Sequence, residues 1–254
     1  MLIIHLVLFA DQMVINIDQT GVSVIPTSNW TMHEKGAKQV PIAAKEDKRQ
    51  ITALLACSLD GDLLPLQLVY GGKTAKCHPD VDFPKEWSVT HSDNHWSTTE
   101  TMKQYITEVL VPYFANVRTQ LNLDENKKAL CILDVFRAHR VQEVMELFSQ
   151  NNILLAFVPA NCTGELQPLD LSGNGTFKDE LRAQFTAWYA DQVPDDDSSF
   201  SMDMKLSTLK PQHARWVINA WQALREHKEC LIAGWQKSGI ASALKDTPID
   251  ILIG

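Results

Sequence analysis

Three aspartates stand in settings that suit phosphodiester chemistry. Asp18 closes the strand-like run Val14-Ile15-Asn16-Ile17, and Asp134 closes Leu130-Cys131-Ile132-Leu133. Asp170 is separated from Asp134 by 35 intervening residues, in Glu165-Leu166-Gln167-Pro168-Leu169-Asp170, ahead of a long helical pattern. In-line attack on a phosphodiester, by water or by a 3′-hydroxyl, is assisted by two divalent cations about 4 Å apart that stabilise the attacking and leaving oxygens. Mg²⁺ takes oxygen ligands and keeps several waters, so three carboxylates from distant positions suffice to hold such ions. Strand ends fix carboxylates rigidly, and adjacent strands would set Asp18 beside Asp134. A single aspartate is more often a cap or a turn residue. The three in these settings point instead to a metal-dependent nuclease or strand transferase, with Asp18, Asp134 and Asp170 holding Mg²⁺ or Mn²⁺. Glu165 is a rival third carboxylate, disfavoured by its irregular run before Pro168.

The elements that must position them follow from hydrophobic periodicity and turn signals. Val14 to Asp18 reads as a short buried strand. Residues 51–59 and 63–70 read as a hairpin about Asp60-Gly61. Residues 73–97 read as a long excursion beside the sheet. Residues 98–118 have a helical pattern, capped by Ser97 or Thr98 and interrupted at Pro112. Then come a strand over 129–134, an amphipathic helix over 141–150, a strand over 153–158, and a helix opened by Asp170 and running to about Gln192. Five strands are expected in an α/β fold, a parallel pair joined to an antiparallel remainder. An acidic linker over 194–204 should separate a domain at 1–193 from a C-terminal helical segment at 205–254. Leu2 to Ala10 is apolar but too short to span a bilayer, and no basic residue precedes it. It reads as a leading strand or the start of a longer chain.

With 45% hydrophobic and 21% charged residues, a folded core is expected rather than disorder. The net charge of −8 disfavours tight autonomous DNA binding but suits a carboxylate metal site. Five cysteines without a CxxC pair fit a reducing compartment. The sequons at Asn29, Asn161 and Asn174 are then without meaning.

The segments Asn16-Ile17-Asp18-Gln19-Thr20-Gly21, Leu133-Asp134 with His139, and Pro159-Ala160-Asn161-Cys162-Thr163-Gly164-Glu165-Leu166-Gln167-Pro168-Leu169-Asp170 carry a resemblance. So do Thr27-Ser28-Asn29-Trp30-Thr31, Lys48-Arg49-Gln50-Ile51-Thr52-Ala53 and His91-Ser92-Asp93-Asn94-His95-Trp96. Over about residues 13–193 the chain resembles the DDE-superfamily endonuclease domain, in the branch of pogo/Tigger/jerky-type transposases and proteins derived from them. The resemblance implies an RNase H-like mixed sheet flanked by helices, DNA cleavage and strand transfer with Mg²⁺, a nuclear location, and Asp18, Asp134 and Asp170 as the metal ligands. Three departures stand out. The stretch ahead of Asp18 is too short for the family's helix-turn-helix region. Val135 stands where many relatives have Asn. Gly173-Asn174-Gly175-Thr176 replaces a basic pattern before Phe177-Lys178. The alternative is therefore a silent, domesticated or truncated transposase-derived module that binds DNA or chromatin without turnover.

His139 could position a phosphate or a water, although such a residue more often caps the next helix. Lys35, Lys38, Lys48, Arg49 and Lys73 could line a DNA groove, with a solvated face as the equal alternative. Trp216, Trp221 and Trp235 read as a helical core, with base stacking or a homodimer contact as the alternatives. Cys77-His78 with His91 and His95, four apart, raises zinc. Against it stand the unusual adjacent Cys-His pair and the absence of any helical signal there.

Overall fold

The computed structural model describes residues 9–26, 49–135, 140–192 and 203–246. Lys35, Lys38, Lys48, His139, the acidic linker up to residue 202 and the apolar start through residue 8 lie outside these residues.

A six-stranded sheet organises the chain, in the order β4-β3-β2-β1-β5-β6. The strands are β1 (Val14–Ser23), β2 (Gln50–Ser58), β3 (Gln67–Gly71), β4 (Ser88–Ser92), β5 (Ala129–Asp134) and β6 (Ile153–Val158). Strand β2 runs antiparallel to β1 and β3, whereas β1–β5, β5–β6 and β3–β4 are parallel.

Burial on both faces explains the near-continuous apolar runs in the central strands. Ile15 and Ile17 of β1 face one core with Leu54, Ala56, Cys131 and Leu133. That core is covered by α1 (Thr99–Tyr105), α2 (Val111–Gln120) and α3 (Gln142–Gln150), through Met102, Phe114 and Phe148 among others. The alternate residues Val14 and Val22 face the opposite core. This second layer is α6 (Gly173–Gln192), α7 (Leu206–Glu226) and α8 (Lys228–Lys237), preceded by the single turns α4 (Thr163–Leu166) and α5 (Pro168–Leu171) and followed by α9 (Ile240–Asp246).

The C-terminal helices belong to the same core as the strands. Trp216, Trp221 and Trp235 are buried, which removes them as stacking platforms. The indole of Trp221 donates to the Leu64 carbonyl at 3.0 Å, and that of Trp235 to the Ser58 carbonyl at 2.8 Å.

Several expectations are corrected. The sheet has a sixth strand, β4, inside the stretch read as an excursion. Its Ser-Val-Thr-His-Ser sequence lacks an apolar alternation because it pairs on one side only, at the sheet edge. Its parallel pairing with β3 also means that the early strands are not wholly antiparallel. Ladder pairing of the hairpin return begins at Gln67, past Pro65, which has no N–H to donate. Leu63 makes only an isolated bridge to Cys57. Helix 98–118 is divided by a π-turn at Ile106–Leu110, just ahead of Pro112, whose ring and missing N–H disrupt the regular bond to Glu108. Its start is a capping box in which Thr98 and Thr101 exchange side-chain bonds to each other's backbone N–H.

Candidate metal centre

Asp18 is interior to β1, not at its end. On one side β1 pairs with β2 from Ile15 to Ser23, with Asp18 opposite Leu55. On the other side its parallel ladder with β5 stops at Asn16, opposite Ile132. Continuing that register by two residues brings Asp18 level with Asp134, the last residue of β5. Successive side chains alternate across a sheet, so Asp18 lies on the face of Asn16 and Val14, and Asp134 on that of Ile132. Both therefore face the layer of α5 and α6, where the ladder opens.

Asp170 comes to this point on α5. It is the third residue of that single turn, and α6 begins separately at Gly173. The reason is Ser172, whose φ of −153° breaks the helical path. Asn16 anchors α5: its buried side chain donates to the Ile132 carbonyl at 3.0 Å and accepts the Leu169 N–H at 3.0 Å. The buried Gln167 side chain adds a 3.4 Å bond to the Ile17 carbonyl. Close packing from α8 backs the same turn. A Cβ at Gly173 would lie 3.0 Å from a Leu231 methyl, and one at Gly234 would strike the Pro168 carbonyl.

Asn174, one turn beyond Asp170, joins the carboxylates. Its Nδ2 donates to Asp170 Oδ1 at 3.0 Å and to Asp18 Oδ2. Asn174 is itself buried, which also removes its sequon from the surface. Asp18 is 7% exposed, Asp134 half-buried and Asp170 exposed, so the cluster is walled on one side and open on the other. Burial, and then the charge of Asp170, push the Asp18 carboxyl up to about 7; Asp134 adds to the rise, while Asn174 and the Gln19 backbone oppose it. Like charges around a desolvated carboxylate are relieved by a proton or by a cation. The all-oxygen donor set, one member buried and the others open to solvent, fits a hard divalent ion that retains waters. Glu165 lies exposed on α4.

The other predicted contacts are placed differently. Arg49 is half-buried, and its Nη1 donates to the Met204 carbonyl at 3.0 Å, tying the start of β2 to the approach of α7. Lys73 is exposed beyond β3. Sequence reasoning missed Asn16 and Asn174 as parts of the site. A polar residue inside Val14-Ile15-Asn16-Ile17 was the available signal for the first. The second shows only when α6 is folded against β1.

The family described as DDE superfamily endonuclease matches residues 48–235. The chain belongs to this family. Similar curated proteins include the mouse and human "Pogo transposable element with KRAB domain", 23% and 24% identical over 235 residues, or 91% of this chain. The chain covers 36% of the length of each. The human "Pogo transposable element with ZNF domain" is 27% identical over 132 residues, covering 52% of this chain and 9% of that protein. Among solved structures, the mariner Mos1 paired-end complex with Mg matches with a TM-score of 0.50 at 10% identity, over 91% of this chain and 54% of that one. The likeness shows the fold: an RNase H-like mixed sheet between helical layers, with six strands rather than the five expected. This DDE endonuclease domain is of the transposase type, homologous to pogo elements. None of the helices among the described residues is long and apolar enough to cross a membrane.

Proposed function

We propose that this domain is a Mg²⁺- or Mn²⁺-dependent DNA endonuclease and strand transferase whose metal ligands are Asp18, Asp134 and Asp170. The observation that carries the reading is that Asn174 bonds both Asp18 and Asp170, while the parallel register of β1 and β5 brings Asp134 level with Asp18, whose carboxyl feels the charge of both others. The Mos1 complex solved with Mg supports the choice of cation, and the pogo relatives support DNA as the substrate.

Bound divalent ions would stabilise the attacking and leaving oxygens of an in-line displacement. Asp18 would supply the rigid inner ligand, held by the pairing of β1 with β2 and by Asn174. Asp134 and Asp170 approach from the open side, which leaves room for the scissile phosphate. Asn174 orients two of the three carboxylates in advance, so less ordering is left for the moment of binding. No protein general base is required. Lys35, Lys38, Lys48, Arg49 and Lys73 are the proposed DNA contacts, with His139 as an auxiliary. A homodimer and a nuclear location complete the proposal.

Mn²⁺ binding by calorimetry and nicking of plasmid DNA test it, on the wild-type chain and on Asp134→Asn. Both signals should be lost in the variant while its circular dichroism is unchanged. Nicking at the wild-type rate by Asp134→Asn would overturn the mechanism. The net charge of −8, which disfavours tight autonomous DNA binding, leaves room for a second reading, a transposase-derived module that meets DNA or chromatin partners without turnover. Wild-type protein that takes up no metal, alone or with DNA, would put that reading first.

A further inference from the structure

At the far edge of the sheet, the short 3₁₀ turn Ala75–Cys77 folds back against β4. There the side chains of Cys77, His78 and His91 meet. One ligand atom from each lies within 4.8 Å of the others, and all three residues are half-buried. His78 Nε2 and His91 Nδ1 are 3.3 Å apart. Two imidazole nitrogens bound at 2.0–2.1 Å to one tetrahedral ion would be separated by about 3.3 Å. The rings meet edge to face with centroids 5.2 Å apart, so neither blocks the other's approach to a common point.

The surroundings hold the three in place. His91 sits in the β3–β4 ladder opposite Tyr70. The His78 ring also hydrogen-bonds the Thr90 backbone, the kind of outer contact that orients metal-bound histidines. Gly72, at φ +156°, lets the chain pass tightly: a Cβ there would lie 2.5 Å from Cys77 Cβ and 2.8 Å from its Sγ. Lys210 is held on the Cys77 carbonyl at 2.6 Å. His95, the partner that a four-residue spacing would choose, instead approaches Thr52 at 3.5 Å.

We propose that Cys77, His78 and His91 form a Zn²⁺ site with one position left to water. A thiolate with two imidazoles is a soft-to-borderline donor set that suits Zn²⁺ rather than Mg²⁺. The site is distinct from the aspartate cluster, since β4 and β1 are three strand spacings apart, about 14 Å. The ion clamps the segment after β3 onto the edge strand. That segment carries the exposed Lys73 and Lys76, so the metal fixes two cations at the rim of the sheet. The inference does not depend on the aspartates being catalytic.

Titration of the reduced full chain with Co²⁺ tests it. One equivalent should produce a thiolate-to-cobalt charge-transfer band, and Zn²⁺ should abolish it. Cys77→Ala and, separately, His91→Ala should lose the band and weaken Zn²⁺ binding by more than about 100-fold, since even outer contacts are worth 10–100-fold. Asp18→Asn should keep the band. The absence of the band in the wild-type chain, or its persistence in Cys77→Ala, would overturn the site. Two variants at different positions, each checked for folding by circular dichroism, guard against loss through misfolding.

Discussion

The side-chain oxygen of Asn16 accepts the backbone N–H of Leu169 at 3.0 Å, across 153 positions of sequence. The same amide donates to Ile132, so a single side chain connects β1, β5 and α5, the three elements that bear the aspartates. Replacing it with Leu keeps the volume but leaves a buried N–H without its acceptor, at about 1–3 kcal/mol. Asn16→Leu should lower the urea midpoint accordingly. It should also weaken Mn²⁺ binding although every carboxylate remains. Unchanged metal affinity would mean that α5 is positioned by other contacts.

Asp18 governs how the metal-free protein responds to pH. Its folded-state value of about 7 lies above the ordinary 3.8. Between roughly pH 4 and 7 the folded state therefore holds more protons than the unfolded one, and the contribution to stability falls as pH rises. Above 7 the buried charge is fully destabilising, by up to about 4 kcal/mol at 1.36 kcal/mol per unit. Asp18→Asn should match the wild type at pH 4 and melt higher at pH 8 without metal. Mn²⁺ should raise the melting temperature of the wild type but not of the variant. A variant that melts lower than the wild type at pH 8 would contradict this account.

Asn174 sets how strongly the cluster depends on a cation. Asn174→Asp exchanges a donor shared by Asp18 and Asp170 for another negative charge. Without metal the variant should melt below the wild type, and the rise on adding Mn²⁺ should be larger. Equal metal-induced shifts in the two proteins would show that residue 174 stands outside the ion's field.

His213 gives a second, opposite pH effect. It is 1% exposed, and burial pushes it down to about 4. The unfolded state takes up its proton near 6.5, so stability is lost as pH falls from about 6.5 to 4, by about 3 kcal/mol. Urea midpoints of His213→Leu should be flatter across that window than those of the wild type. Identical slopes would assign the acid sensitivity elsewhere.

Much of the fold could be read from local pattern. The strands at 129–134 and 153–158 and the helix between them show because both faces of the central sheet are buried and the intervening helix is amphipathic. Strand β4 did not show, because an edge strand with one neighbour needs no apolar alternation. The clustering of Asp18 with Asp134 followed from parallel adjacent strands. The placement of Asp170 on its own turn did not, because Ser172 divides what periodicity alone would join. Asn16 and Asn174 were opaque for a further reason: each bonds one partner about 150 residues away, which no window of sequence contains. The spacing of the histidines was no guide, as the absence of a helical signal there indicated. A separation of four suggests one helix face, yet His91 lies on a strand and His95 in the turn after it.

Gly173 and Gly234 bring α8 into contact with the turn that carries Asp170. The aspartate cluster therefore rests in part on a helix about 60 residues beyond Asp170, far in sequence from the first aspartate. Shortening the protein to its strands and the helix after Asp170 would preserve every acidic side chain while removing the wall against which one of them is set. A fragment that keeps this turn in place must extend past Gly234.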